Sequence, residues 1–146
     1  FCNTKVMCQR LSDDLRREGI RADCLHGDIK QATREKTMAD FRHGKLPVLI
    51  ATDVASRGID VDDVDGVINY DVPEENEYYI HRIGRTGRAR KKGISFTLLG
   101  SFPEKAKLDE IAKFAGFRIV PMIFDEYGCL VPAPAEEKHP TSRRRF

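Results

Sequence analysis

The sequence lacks paired cysteines, since Cys2, Cys8, Cys24 and Cys129 form no Cys-x-x-Cys motif. This scatter indicates neither a zinc site nor a disulfide framework, and we interpret the cysteines as core thiols in a reducing compartment. No apolar run approaches the about 20 residues of a membrane span, and no signal peptide is recognisable. We therefore expect a cytoplasmic protein without a membrane partner. The sequence leaves its oligomeric state open.

Several catalytic signatures are also missing. There is no G-x-x-x-x-G-K-[ST] loop to cradle nucleotide phosphates, and none of the predicted strands is followed by an evident Asp-Glu pair to hold magnesium. Histidine is a frequent general base, but no nucleophile or orienting acid accompanies His81, so triad-type hydrolysis is excluded. The acidic cluster Asp62, Asp63 and Asp65 lacks the spacing of a calcium loop, and we interpret it as a solvated turn.

The net charge is small, at +2, but the charges are unevenly distributed. Residues 81–92 contain six Lys or Arg and no acid, whereas residues 53–77 are acidic with a single Arg. Such a local field attracts anions. Within the basic stretch, Arg82, Arg85 and Arg88 recur every three residues, which predicts a nearly one-sided set of guanidinium groups suited to phosphate oxygens.

Helical and extended patterns alternate along the chain. Helices are predicted from Thr4 to Glu18, at 31–42, at 76–83 and from Ser101 to Gly116, and strands at 20–25, 47–52, 67–70 and 94–99. This order predicts an α/β fold, a doubly wound parallel sheet with helices on both faces, over residues 1–120.

The two ends of the chain differ from this pattern. Residues 121–146 are predicted to form a C-terminal extension or tail, and the Pro-containing segment 132–146 to be mostly disordered. Phe1 to Asn3 resemble the last residues of a strand. We therefore expect an N-terminally truncated fragment of a longer protein.

In doubly wound sheets, ligands collect beyond the carboxyl ends of the strands. The residues that follow predicted strands are Thr4, Gly27, Thr52 and Asp71. Thr52 and Asp53, with Arg57 in the next turn, are suited to hold a sugar-phosphate backbone without reading bases. Asp60 is suited to accept a hydrogen bond from a ribose hydroxyl. An ordinary loop in which Asp60 caps the next turn explains that segment equally well by itself.

A weaker signal lies at the start of the second helix. Gln31 and Arg34 share one face near its N-terminus, where an anion is readily held. A capped amphipathic helix with a solvated polar face explains these two residues at least as well. The functional interpretation therefore depends on the other motifs.

Two segments closely resemble motifs V and VI of the DEAD-box RNA helicases: Ala51–Asp60 (ATDVASRGID) and His81–Arg88 (HRIGRTGR). Phe1–Lys5 resembles the end of motif IV. Gly27-Asp28, with Gln31 and Arg34, resembles the adjoining Gly-Asp and Gln-x-x-Arg motifs. The resemblance covers roughly residues 1–120 in the family's order, and it implies the C-terminal, RecA-like lobe of a two-lobe superfamily-2 motor.

The resemblance implies an ATP-dependent RNA helicase as the parent protein, which hydrolyses ATP and locally unwinds or remodels RNA. ATP and Mg²⁺ would be held mainly by the missing N-terminal RecA-like lobe, which is the expected partner, so this fragment alone is expected to be inactive. The implied catalytic residues are Arg85 and Arg88, as arginine fingers, and His81, as a link to the first lobe. The implied ATP contacts are Gly58, Asp60, Arg85 and Arg88. The implied RNA contacts are Thr4, Gly27, Gln31, Arg34, Thr52, Asp53 and Arg57.

Two other functions stay open at this point. One is a RecA-like module that binds RNA or a protein without turnover, against which the spaced arginines argue. The other is a DNA helicase lobe, because a track that contacts only the backbone accepts either polymer unless 2′-hydroxyl groups are read. Arg143 to Arg145 are interpreted either as an auxiliary RNA-binding tail or as a solubilising terminus.

Overall fold

The structure, a computed structural model, describes residues 1–58, 61–89 and 91–135. The elements in chain order are α1 (Lys5–Arg17), β1 (Ala22–Leu25), α2 (Gln31–Arg42), β2 (Val48–Ala51), α3 (Asp53–Ser56), β3 (Gly66–Asn69), α4 (Asn76–Ile83), β4 (Ile94–Thr97), α5 (Phe102–Ala115), β5 (Met122–Phe124) and β6 (Leu130–Pro132). The chain divides into two compact units, Phe1–Ala115 and the part that starts at Gly116. Among the described helices, none has both the length and the apolar character of a membrane span.

Strands β1 and β2 form a parallel pair, in which Cys24 lies opposite Ile50 and Leu25 lies opposite Ala51. Successive residues of a strand point to opposite faces of the sheet. Cys24 and Ile50 belong to a core cluster with α1, whereas Leu25 and Ala51 belong to a second cluster with α2 and α3. This pair therefore carries helices on both faces, as expected for a doubly wound sheet.

Strands β3 and β4 form a second parallel pair, and the first two residues of the chain connect it to β2. The amino group of Phe1 donates to the carbonyl of Ile68 at 2.7 Å, and the carbonyl of Phe1 accepts from the N–H of Tyr70 at 2.9 Å. Cys2 forms a parallel bridge with Thr52. The carboxyl ends of β1, β2 and β3 therefore lie along one edge.

Local signals define the helix ends. Thr4 caps α1, because its side-chain oxygen accepts from the N–H of Met7 at 3.2 Å, and Gly19 follows that helix with a left-handed φ of 81°. Before α5, Ser101 Oγ accepts from the N–H of Glu104 at 3.4 Å, as the predicted capping box requires. The predicted bounds of α2 and α4 agree with the structure.

A short helix, α3, replaces the loop that was predicted directly after β2. Thr52 starts this helix, because its hydroxyl accepts a hydrogen bond from the N–H of Ala55 at 3.4 Å. The single turn is four residues long, too short for any apolar period to be visible in the sequence. It carries Asp53 in its first turn and directs the chain toward Arg57.

The second unit contains an antiparallel hairpin of β5 and β6. Pro132 pairs with Met122, and the N–H of Ala133 donates to the carbonyl of Pro121 at 2.9 Å. The segment predicted to be mostly disordered, residues 132–146, thus begins with two residues that pair in this hairpin. Residues 136–146, which include the basic tail, lie outside the described part of the chain.

The cysteines provide a direct test of this core. Cys2, Cys8 and Cys24 are buried, but Cys129 is exposed, so its interpretation as a core thiol is wrong. Burial raises the pKa of Cys2 to about 11. A hydrogen bond with Cys24, together with burial, raises the pKa of Cys8.

We expect a thiol reagent at pH 8 to label Cys129 at least about 100-fold faster than Cys2 or Cys8, since only the thiolate reacts. Labelling followed by mass spectrometry measures these rates, and Cys129→Ser should remove the fast phase. Equal labelling of all four thiols in the folded protein would contradict the buried cluster.

Candidate phosphate and nucleic-acid site

Polar residues that follow β1 and β2 meet at one edge of the first unit. The backbone N–H of Thr52 donates to the carbonyl of Leu25, the last residue of β1, at 3.3 Å. Thr4 lies two residues beyond Cys2, which bridges to Thr52. Gly27 lies two residues after Leu25, the last residue of β1. The structure therefore brings Thr4, Gly27 and Thr52 to a common edge, where strand-end residues of a parallel sheet form ligand sites.

The neighbouring loop and the start of α2 extend this edge. A Cβ added at Gly27 would lie 3.9 Å from the side chain of Lys5, so this lysine runs alongside the loop. Arg34 donates to the carbonyl of His26 at 3.3 Å. Gln31 is exposed and bonds within its own helix. These residues form a polar border that a nucleic-acid backbone can approach.

Arg82 is the most buried charged side chain of this region, with 1% of it exposed. Its guanidinium donates to both carboxylate oxygens of Asp53, at 2.6 and 2.7 Å. It also donates to the carbonyl of Asp71 at 2.7 Å and to Asn3 Oδ1 at 2.8 Å. The carboxylate of Asp53, a predicted RNA contact, is thereby engaged inside the domain. Arg82 thus connects the start of α3 to Asn3 and to Asp71, which follows β3.

The prediction of a one-sided set of three arginines is wrong. Helix α4 ends at Ile83, between Arg82 and Arg85, and Gly84 is its C-cap residue. Gly87 then takes a left-handed φ of 72°, which turns the chain. A spacing of three places residues on one helix face only while the helix continues. Arg82 therefore points inward, whereas the other two arginines lie beyond the helix.

Arg85 and Arg88 converge on a single carboxylate. The Nη1 atom of Arg88 lies 2.7 Å from Asp62 Oδ2, and the Nη1 atom of Arg85 lies 3.6 Å from Asp62 Oδ1. Arg85 also donates to the carbonyl of Ser56 at 3.4 Å, and Arg88 Nε to that of Gly84 at 2.8 Å. Their side chains are 23% and 52% exposed, so an anion can reach both. Two guanidinium groups aimed at one oxyanion also suit a phosphoryl group.

The acidic loop, residues 61–65, carries the counter-charge of this basic segment, and its three aspartates are exposed, as expected of a solvated segment. Thr86 Oγ1 donates to the carbonyl of Val64 at 2.6 Å. Asp63 pairs with Lys91 at 2.6 Å, and their hydrogen bond raises the pKa of Lys91. The sequence contained the signal, since an acidic cluster and a basic stretch complement each other. Spacing alone did not connect the two segments.

The remaining predicted residues surround this pair of loops. Arg57 is exposed and lies over the ring of Tyr78, with 4.8 Å between the guanidinium carbon and the ring centroid. Sequence reasoning missed Tyr78, because an aromatic residue near the start of a helix gives no specific signal. His81 is exposed on the last turn of α4, and Gly58 is exposed after α3. Asp60 lies outside the described residues.

A cavity of the first unit borders this site, because Arg85, Ser56 and Val64 are among its lining residues. It has a volume of about 470 Å³, and its walls are mainly apolar and include residues of β2 and β3. Such walls suit an apolar occupant and not a charged phosphate. Across the described ranges, no three His, Cys, Asp or Glu side chains converge as a metal ion would require. Within the described residues, the pair of Arg85, which is partly exposed, and Arg88, which is exposed, suits an anion better.

Comparison with known proteins gives a consistent result. Residues 1–90 match the family described as "Helicase conserved C-terminal domain". The chain is 46% identical to the probable ATP-dependent RNA helicase DDX17 of Mus musculus over 125 residues, which are 84% of this chain and 19% of the relative. It is 50% identical to the ATP-dependent RNA helicase FAL1 of Saccharomyces cerevisiae over 122 residues, 84% of this chain and 30% of the relative. The chain thus spans less than a third of these relatives.

Two solved structures have the same fold. The C-terminal domain of the DEAD-box protein Dbp5 has a TM-score of 0.74 and 38% identity, with 80% of this chain and 68% of that chain covered. A DEAD box protein from the hyperthermophile Methanococcus jannaschii has a TM-score of 0.75 and 46% identity, with 81% of this chain and 32% of that chain covered. This chain therefore shares its fold with a separate C-terminal domain and with part of a longer protein chain.

Proposed function

Because the chain belongs to the DEAD-box RNA helicases, as a helicase C-terminal domain with the RecA-like α/β fold, we propose that its parent protein is an ATP-dependent RNA helicase. In this proposal the domain supplies two arginine fingers to ATP bound by an N-terminal RecA-like lobe. It also supplies half of an RNA backbone track. The parent protein then uses ATP to unwind or remodel short RNA duplexes.

The convergence of Arg85 and Arg88 on one carboxylate carries this proposal. A domain that only bound RNA would have no need for two guanidinium groups aimed at a single oxyanion. Arginine fingers supplied from a second body stabilise the charge of a phosphoryl-transfer transition state. The observed pair has both the charge and the accessibility for that role.

In this proposal several residues of the domain contact the nucleotide or its phosphate end. Arg85 and Arg88 would hold the γ-phosphate oxygens, and His81 would join the phosphate end to the first lobe. Gly58 and Asp60 would contact the rest of the nucleotide. ATP supplies the phosphoryl group, and we assign Mg²⁺ and the phosphate cradle to the N-terminal lobe because the sequence contains no phosphate-binding loop. This chain alone is then expected neither to hydrolyse ATP nor to unwind RNA.

The RNA track would follow the sheet edge described above. Its proposed residues are Thr4, Gly27, Gln31, Arg34, Thr52, Asp53 and Arg57. Hydroxyl groups, backbone N–H groups and guanidinium groups at this edge suit phosphate and sugar, which position a nucleic acid without reading its sequence. Asp53 would act mainly by orienting α3, since its carboxylate bonds Arg82.

The direct test joins this domain to its N-terminal lobe and measures ATP hydrolysis with single-stranded RNA, with DNA of the same sequence and with neither. Turnover that rises with RNA and not with DNA supports the proposed function. No turnover under any condition would instead leave a RecA-like binding module. Turnover by this chain alone, stimulated by RNA, would contradict the division of labour between the lobes.

A substitution at Arg57 tests the RNA track. We expect Arg57→Ala to weaken RNA binding about equally for all sequences and to reduce the salt slope of the binding constant by about 1, as loss of one phosphate contact requires. Fluorescence anisotropy at several salt concentrations measures both. Arg10→Ala, an exposed arginine on α1 outside the proposed track, is the control. An unchanged salt slope in Arg57→Ala would remove this residue from the track.

A further inference from the structure

Asp62 lies between the two proposed arginine fingers, with one carboxylate oxygen toward each guanidinium group. Two positive side chains close together repel each other, and an anion between them relieves that repulsion. A phosphoryl group also offers two oxygens to two guanidinium groups, so a carboxylate in this position has the charge and the shape of a partial substitute. The family comparison assigns no role to this residue.

We propose that Asp62 is a positioning residue that occupies the phosphate position between Arg85 and Arg88 and leaves it when a phosphate enters. This inference rests on the proposed function of the two arginines. Asp62 arranges the guanidinium groups around an anion before the nucleotide arrives. The nucleotide phosphate and the carboxylate then compete for the same donors, so Asp62 sets how tightly the domain holds phosphate.

The structure permits this exchange at small cost. The backbone of the acidic loop is held by the hydrogen bond from Thr86 to Val64, and by that from the N–H of Val64 to the carbonyl of Arg85 at 3.1 Å. The Asp62 side chain is 36% exposed, so its carboxylate can turn into solvent while the loop stays in place. Exposed ion pairs are weak, and phosphate carries the greater negative charge.

The first test uses this 146-residue chain and inorganic phosphate as the probe. The Nε–H signal of Arg88, followed by ¹⁵N-resolved NMR during a phosphate titration, reports binding at the site itself. We expect Asp62→Asn to bind phosphate about two- to fivefold more tightly than the wild type, because a weak internal competitor has been removed. Asp62→Glu, which keeps the charge, should return toward wild-type affinity.

Asp63→Asn is the matched control, since Asp63 belongs to the same loop and pairs with Lys91. It removes the same charge and should leave phosphate affinity at Arg88 near the wild-type value. Equal or weaker phosphate binding by Asp62→Asn overturns the proposal, and so does an equal gain in Asp63→Asn, which would show a general charge effect.

The second test measures ATP hydrolysis by the parent protein. Asp62→Asn should lower KM for ATP by about two- to fivefold while kcat changes less, because the carboxylate has already left in the reacting complex. A fall in kcat with KM unchanged would show that Asp62 is a fixed support, contrary to the proposal. If the wild-type parent shows no turnover, the proposed function fails, and the phosphate titration still decides the role of Asp62.

Discussion

Arg85→Ala in the parent protein is expected to lower RNA-stimulated ATP turnover by about 10³-fold or more, with little change in RNA affinity. Arg85 carries its charge toward the Asp62 carboxylate at a partly exposed position, and its proposed partner is a phosphate whose charge grows during transfer. Steady-state hydrolysis and RNA anisotropy on the same preparations separate the two effects. Equal losses of turnover and RNA binding would contradict the finger role.

Two controls make this result specific. Lys91→Ala removes one positive charge from the same basic segment, but Lys91 pairs with Asp63 and not with Asp62. ATP turnover by the Lys91→Ala protein should therefore stay near the wild-type value. Arg85→Lys keeps the charge and loses the planar fork, so it should remain strongly impaired if two parallel hydrogen bonds matter. Full activity of Arg85→Lys would indicate that charge alone acts at this position.

The fold was largely predictable because strong local signals define its elements. The helices at 31–42 and 76–83 were predicted with their observed bounds. The errors concern short elements. The four residues of α3 are too few to show a period, and the hairpin strands of three residues each are flanked by prolines that indicated a tail. Elements of this length depend on tertiary contacts that a sequence pattern does not contain.

The candidate site was predictable in part, for a related reason. Thr4 and Thr52 were placed at strand ends because Thr4 has the sequence context of an N-cap and Thr52 follows a continuous apolar run. The pairing of Asp62 with Arg88 was missed because it joins two loops 26 residues apart. Arg82 was misplaced because a spacing of three was extended past the end of its helix. To predict these contacts, one would have to match the charges of segments distant in sequence, which periodicity does not do.

Arg82 also leads to the prediction with the largest effect on stability. We expect Arg82→Ala to lower the free energy of unfolding of the domain by about 3–5 kcal/mol, as removal of one partner from a buried ion pair typically does. The loss leaves the Asp53 carboxylate, 15% exposed, without its partner, and frees the Asp71 carbonyl and the Asn3 side chain. Urea unfolding followed by circular dichroism measures the change.

The partner substitution shows whether the ion pair itself causes this loss. Asp53→Asn keeps the size of the side chain and removes the charge that balances the guanidinium, so it should also be strongly destabilising. In the double variant Arg82→Met/Asp53→Asn neither charge remains buried, and the loss should be clearly smaller than the sum of the two single losses. Additive losses would mean that Arg82 stabilises the domain through Asn3 and Asp71 alone. A loss in the double variant that is smaller than the sum would show that the ion pair itself holds α3 close to the end of β3. The proposed RNA track lies along this edge and would depend on the same ion pair.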